Sequence, residues 1–338
     1  MRNLLICFFL LFIISCTNKN EKGILVNKNP FTLSENEMQF IKSNYVDKVY
    51  INFFCIDKTD KNEITVKSKV IYSEKPTRQY RVVPVVEITE KSLLRASELE
   101  IEQISNTICN NLLSITTQNK LNEIIEIAVL YDFTDNIGNQ KKFLSLISYL
   151  NKNDFFNDKI ISLIVKISNL KLLDKSVIKA ADHIIIDFGN TGNISDYNTI
   201  NSLFDWNTVE PHISLVNKID KPISAMLIVQ PRVLVYRNNK FYCSIKNIYE
   251  NSLSDKNTYE RIQPAYYKVL IKTVLSGVKL EKNDILKTEK PDFDDYKKIA
   301  KQLNNKKADI IIYPINEDVI KTSEENDVEI GNIFDYFD

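Results

Sequence analysis

The feature that most constrains this chain is a repeating alternation. Short runs of β-branched and other apolar residues recur, each followed by a stretch with helical spacing. The runs are Lys48–Ile56, Arg81–Ile88, Ile124–Phe133, Ile160–Ile167, His183–Phe188, Pro222–Val229 and Ala308–Pro314. Most are apolar in both phases, the pattern of a parallel strand buried on two faces. Between them, Ile101, Ile104, Ile108 and Leu112 recur at helical spacing. So do Phe143, Leu146, Ile147 and Leu150, and Phe293, Tyr296, Ile299 and Leu303, each set marking one apolar helix face. Shorter helices are expected over 172–181 and 208–219, and Asp292 is placed to cap the helix from 293. Strands alternating with helices predict a parallel sheet. Seven or eight strands in roughly 300 residues suit a closed TIM-like (β/α) barrel. The alternative, an open doubly wound sheet, lacks the Gly-rich first turn such sheets use. Pro84 fits a central strand poorly, because it brings no N–H to the ladder.

The last third is less regular. Arg237-Asn-Asn-Lys240 reads as a hairpin turn, 244–260 shows no clear pattern, and 268–286 reads as a second hairpin or an irregular strand. The expected organisation is one barrel domain over 41–330, with hairpin insertions around 233–290 and a C-terminal tail at 331–338.

The first residues have a different character. Met1-Arg2-Asn3 is positive, Leu4 to Ile14 is apolar and uncharged, and Ser15-Cys16 precedes a polar stretch. This is a signal-peptide layout, with an apolar run too short for a permanent span. Ile13-Ile14-Ser15-Cys16 resembles the bacterial lipobox. That resemblance implies removal of 1–15 and palmitate-type acylation of Cys16 on its thiol and new α-amine. The alternative is an ordinary signal peptide with a chance cysteine. Residues 16–40 read as the lipidated cysteine and a flexible tether. The expected address is the bacterial cell envelope, anchored to a membrane and not through it. Thr17 offers no acidic retention signal, which favours the outer membrane.

Charge and composition exclude several classes. Forty-four Lys and Arg balance forty-four Asp and Glu, leaving no basic footprint for nucleic acid. Only six glycines occur, and neither GxGxxG nor GxxxxGK is present, so nucleotide binding by those devices is excluded. Cys55, Cys109 and Cys243 are far apart, without a CxxC or Cys/His cluster, so no metal, redox centre or cofactor is expected. They read as buried thiols, the alternative being one disulfide and one thiol. His183 and His212 lack a catalytic setting, and no GxSxG is present.

A barrel keeps its site at the C-terminal strand ends. The carboxylates there are Asp57, Glu87, Asp132, Asp135, Asp187, Glu317 and Asp318. A barrel glycosidase needs two carboxylates, about 5 Å apart to retain configuration or roughly 6.5–9.5 Å to invert it. Asp132 with Glu87 or Glu317 is the candidate catalytic set. Capping of the following loop is the alternative role for Asp132, and a rim ion pair for Glu87. Asp57, Asp135 and Asp187 are candidate ligand contacts. Trp206 is a candidate sugar-stacking ring, packing being its alternative.

An ordered series of segments carries a resemblance over most of the chain. It runs Val49-Tyr-Ile-Asn-Phe-Phe-Cys-Ile-Asp57, Val83-Pro-Val-Val-Glu-Ile-Thr89, Tyr131-Asp-Phe-Thr134, Ala181-Asp182 and Gly189-Asn-Thr-Gly192. It continues through Val235-Tyr-Arg-Asn-Asn-Lys-Phe241 and Asn283-Asp-Ile-Leu-Lys-Thr-Glu289. The series resembles an uncharacterised bacterial family of envelope proteins with a glycoside-hydrolase-like (β/α) barrel. The resemblance implies ligand contacts from Asn190, Gln230, Asp284 and Glu289, a solvated, ion-paired edge being the alternative for Asp284 and Glu289. The chain also departs from the family. Where its members read roughly Gln-x-Asp-x-Asp-Trp, this chain has Ala128, Leu130, Asp132 and Phe133. A tyrosine before Asn190 is replaced by Gly189, and an aromatic pair by Gln230 and Arg232.

Acids and sugar-stacking aromatics are thus thinned together. The expectation is a membrane-anchored envelope lipoprotein whose barrel binds a glycan, peptide or protein without catalysis. The alternative is a weak or atypical glycoside hydrolase acting on an envelope or host glycan.

Overall fold

The computed structural model describes residues 20–73, 79–121, 124–132 and 137–338. Cys16, Phe133 and Asp135 lie outside the described residues. The first part of the chain runs β1 (Lys22–Val26), α1 (Glu35–Ser43), β2 (Lys48–Lys58), β3 (Ile64–Lys67), β4 (Arg81–Ile88), α2 (Glu90–Leu93) and α3 (Glu98–Asn119). It continues with β5 (Glu126–Tyr131), α4 (Ile137–Asn151), β6 (Ile160–Lys166), α5 (Lys175–Ala180), β7 (His183–Asp187), α6 (Trp206–Val216) and β8 (Ile223–Ile228). An insertion follows: β9 (Arg232–Arg237), β10 (Lys240–Lys246), β11 (Tyr259–Gln263), β12 (Tyr266–Val269), β13 (Thr273–Leu275), β14 (Val278–Leu280) and β15 (Ile285–Glu289). The chain then returns through α7 (Phe293–Leu303), β16 (Asp309–Tyr313) and α8 (Glu317–Glu324).

Strands β1, β2, β4, β5, β6, β7, β8 and β16 pair in parallel around a ring, which β1 closes by pairing with both β16 and β2. The expected TIM-like barrel is therefore present. β3 folds back antiparallel on the far end of β2. Pro84 is accommodated because pairing of β4 with β5 starts only at Val85. Gly23 relieves a tight place on β1. A Cβ there would lie 3.0 Å from the Tyr50 ring and 3.1 Å from Ile311. Local signals agree with the helices. Ser34 with Glu37 and Ser97 with Glu100 form capping boxes, and Asp292 caps α7. The inward helix faces are those the spacing marked, and they pack on the barrel's outer face in one large apolar core.

The irregular third is a separate layer. β10, β9, β15, β12 and β11 form an antiparallel sheet in that order, beside the β13–β14 hairpin. Asn238 and Asn239 both take positive φ in the β9–β10 turn, as a two-residue hairpin requires. The sheet has its own apolar cluster, including Val233, Val235, Leu253 and Leu286.

Three expectations are corrected. Residues 22–26 and 35–43 are not tether but the first barrel strand and a capped helix. Five residues with one Gly and one Lys show no period, yet two parallel neighbours hold them. Residues 331–338 are not a loose tail. Ile330–Tyr336 forms a 3₁₀ turn that buries Ile333 and Phe334, and Lys22 Nζ reaches Asp338 at 3.1 Å. The three described cysteines are free, but only Cys109 is buried; Cys55 and Cys243 are half-buried.

Candidate functional site

The barrel interior is layered. Its floor, at the strand entries, is polar. Glu126 Oε2 accepts from Lys48 Nζ at 2.7 Å, and Oε1 accepts from Ser162 Oγ at 2.6 Å and from the Tyr50 hydroxyl at 3.2 Å. His183 lies 3.2 Å from Ser162 Oγ and 3.0 Å from Ser224 Oγ. Burial alone would raise the Glu126 pKa, but the bonds and charges of His183 and Lys48 outweigh it and hold the carboxyl at about 2. Above this floor lies a plug of Tyr50, Val83, Val85, Ala128, Ile164, Ile185, Met226 and Ile311. The plug makes the barrel a packed core and not a channel.

The mouth, at the strand exits, carries the candidate carboxylates. Asp132 sits just past β5, exposed, with its oxygens 3.0 Å from Lys166 Nζ and 2.9 Å from Asn169 Nδ2. Asp187 ends β7. Its Oδ1 accepts from the Tyr313 hydroxyl at 2.6 Å and from the Gly189 N–H at 2.8 Å. Among the described residues its Oδ2 has no partner. Burial raises the Asp187 carboxyl to about 6, against the pull of the two bonds. The same burial and the neighbouring Asp187 charge push the Tyr313 hydroxyl well above its ordinary value. Gly189 makes the pair possible, since a Cβ there would fall 2.1 Å from the Tyr313 hydroxyl oxygen. The resemblance places a tyrosine at this position. Here the phenol beside Asp187 comes instead from β16.

Glu87 is exposed on the rim beside Cys55. Burial and the Glu87 charge raise the Cys55 thiol to about 11, so it stays protonated. Asp57 is held by Lys67 at 2.5 Å and by the Thr89 hydroxyl at 2.7 Å, which lower it to about 2. It ties β3 to the loop after β4. Glu317 and Asp318 are exposed in the first turn of α8, where a helix N-terminus favours acids. Trp206 opens α6 and is half-buried against Phe204, with the Lys298 ammonium 5.4 Å above its ring. Its placement is that of a packing residue.

The residues inferred from the resemblance are held by internal pairs. Glu289 is buried and accepts from Arg232 Nε at 2.9 Å, Lys287 Nζ at 2.8 Å, Ser202 N at 2.8 Å and Ser202 Oγ at 2.6 Å. Arg232 also reaches Asn190 Oδ1 at 2.9 Å and Ser202 Oγ at 2.8 Å. Asp284 is clamped by Arg237 through bonds of 2.9 and 2.7 Å. Gln230 donates to Asn247 Oδ1 at 2.9 Å. Glu289 therefore fastens the insertion to the 190–205 loop, and Asp284 holds the insertion together from within. Sequence reasoning overlooked Lys48, Glu126, Lys166 and Tyr313. Glu126 was reachable, because it lies in the inward phase of Ala128, Leu130 and Asp132. Tyr313 carried no local signal. Among the described residues, no group of three or more His, Cys, Asp or Glu side chains could hold a metal ion.

The fold is a closed (β/α) barrel with an antiparallel insertion after its seventh strand. Neither a protein-family profile nor a curated protein matches the sequence. Solved structures do match in shape. The C-terminal domain of a putative chitinase from Desulfitobacterium hafniense has a TM-score of 0.56 at 9% identity, covering 95% of this chain and 100% of that one. The spore cortex-lytic enzyme SleL of Bacillus cereus has a TM-score of 0.55 at 11% identity, covering 91% of this chain and 74% of that one. The GH18 chitinase ChiB of Flavobacterium johnsoniae has a TM-score of 0.52 at 9% identity, covering 94% of each. At such identity the likeness shows the fold alone.

Proposed function

We propose that the protein is a lipid-anchored envelope protein whose barrel mouth binds a glycan without cleaving it. One observation carries the non-catalytic reading: the carboxylate at the end of β5 is already engaged. Asp132 is exposed, ion-paired with Lys166 and bonded to Asn169, while the positions behind it on the same face are Ala128 and Leu130. A nucleophile or base needs a free oxygen directed at the reacting bond, with a second carboxyl opposite. The glycan part draws support from the shared architecture with a chitinase and a cortex-lytic enzyme. It also draws on the mouth's polar groups, Asp187, Asn190, Asp132 and Glu87, which suit hydroxyl donors. The lipid anchor draws on the lipobox-like Ile13-Ile14-Ser15-Cys16.

The test is calorimetric titration with chitin- and peptidoglycan-derived oligosaccharides, alongside product analysis. Saturable binding without product release is expected. Turnover that disappears in Asp132→Asn would overturn the reading. A hydrolase reading rests on Asp187, a mouth acid raised to about 6 by burial, as a general acid must be. Turnover abolished in Asp187→Asn would favour it.

A further inference from the structure

The start of the described chain is pinned to one end of the barrel. The Asn20 amide donates to the Phe337 carbonyl. Glu21 N donates to Asp309 Oδ1 at 2.8 Å, and Lys22 N to Asp47 Oδ2 at 2.9 Å. The Glu21 carboxylate meets Lys48 at 2.6 Å and also meets Arg81, while Lys22 Nζ meets Asp338. Asn20 therefore has no slack of its own. Asn20 is four residues after Cys16. Four residues span at most about 14 Å, even fully extended.

All eight barrel strands are parallel, so every strand entry lies at this pinned end. Six of the eight strands have five to seven residues and β2 and β4 are longer, which places the mouth roughly 20 Å further on. The surface at the strand entries also fits a headgroup layer. Tyr45 is 77% exposed ahead of β2, Ile125 44% exposed ahead of β5, and Ile160 40% exposed at the start of β6. Lys120, Lys152, Lys218 and Lys307 are exposed in the loops leading into β5, β6, β8 and β16, and Asp47, Asp154, Asp158, Asp182 and Asp220 are exposed in the strand-entry loops among them. Apolar tips beside long lysine stems are what an interface accommodates.

We propose that the strand-entry end of the barrel lies against the phospholipid surface, so that the mouth opens away from the membrane. This rests on the lipid-anchor reading above. The short pinned connection fixes the orientation, and the acyl chains supply the attachment. A ligand would then be taken from the side facing away from the bilayer.

The test is hydrogen exchange read by mass spectrometry on the full acylated chain, in vesicles of phosphatidylethanolamine and phosphatidylglycerol. The soluble Cys16→Ser chain is the reference. The expected result is several-fold slower exchange on vesicles in loops 44–47, 152–159, 217–222 and 304–308, with loops 167–174 and 190–205 unchanged. A Gly-Ser spacer of about twenty residues inserted after Thr17 should return those loops to reference rates while the chain stays on the vesicles. If the acylated chain shows equal protection at both ends, or none, the orientation is wrong and the anchor stands. If the intact mass shows no acyl chain on Cys16, both readings fall.

Discussion

Replacing Asp187 by Asn should stabilise the protein, by an amount that grows from about pH 4 and is complete above pH 6. In the fold the Asp187 carboxyl is raised from an ordinary 3.8 to about 6, because burial penalises its charge. Between roughly pH 4 and 6 the folded chain holds a proton that the unfolded chain has already released. Stability must therefore fall as pH rises through that window and level off above it. A displacement of about two pH units at about 1.4 kcal/mol each gives a penalty near 3 kcal/mol at pH 8. Asparagine removes the charge and keeps the geometry. Its Oδ1 accepts the same Tyr313 and Gly189 donors, and its amide nitrogen takes the place of Oδ2, which has no partner among the described residues. Urea unfolding of wild type and Asp187→Asn from pH 4 to 8 should give nearly equal stabilities at pH 4. The variant should pull ahead by up to about 3 kcal/mol at pH 8. Acids held low in the fold, such as Glu126 and Asp57, are common to both chains and cancel in the difference. A difference that does not change with pH, or a variant less stable at every pH, would refute the burial argument.

Other substitutions probe the remaining layers. Glu126→Gln strips the floor of the anion that Lys48 and His183 face, and urea unfolding at pH 7 should show a loss of about 3–5 kcal/mol, as for any broken buried pair. Gly189→Ala puts a methyl group 2.1 Å from the Tyr313 hydroxyl oxygen, so the ring must swing away. The loss should be about 1–3 kcal/mol, and carboxyl NMR should show Asp187 titrating above 6 once that bond is gone. Arg232→Met removes the link between Glu289, Asn190 and Ser202, and faster hydrogen exchange should be confined to loop 190–205 and the β9–β15 edge.

Legibility in the sequence followed the range of the interactions. Seven barrel strands were readable because burial on both faces leaves a continuous apolar run. The eighth, Lys22–Val26, was not, since closure of the ring holds it and no pattern of its own does. Strand β11 was unreadable for the opposite reason. Four of its five residues are exposed, so neither face writes an alternation. At the site, Asp187 could be found from its place at a strand end. Its partner Tyr313 lies 126 residues away and follows from barrel closure alone. From the sequence, Asp284 and Glu289 read as ligand contacts on an irregular hairpin or as a solvated, ion-paired edge. They are buried because Arg237 and Arg232 reach them from β9, a pairing that only the register of the insertion sheet creates.

The two ends of the barrel also divide the polar chemistry in a way composition hides. A net charge of zero over the chain covers a floor where Glu126 and Lys48 satisfy one another out of water, with the partly exposed Glu21 and Arg81 at its edge. It also covers a mouth where Asp187 keeps one oxygen without a partner among the described residues. A buried charge with a full set of partners specifies the fold and offers nothing to a ligand. An acid held at the surface of an apolar plug, paired on one side only, can still change its partner or its proton. Asp187, buried and bonded through one oxygen, has surroundings that leave it that freedom. Asp132, the better candidate by strand position, is already engaged by Lys166 and Asn169.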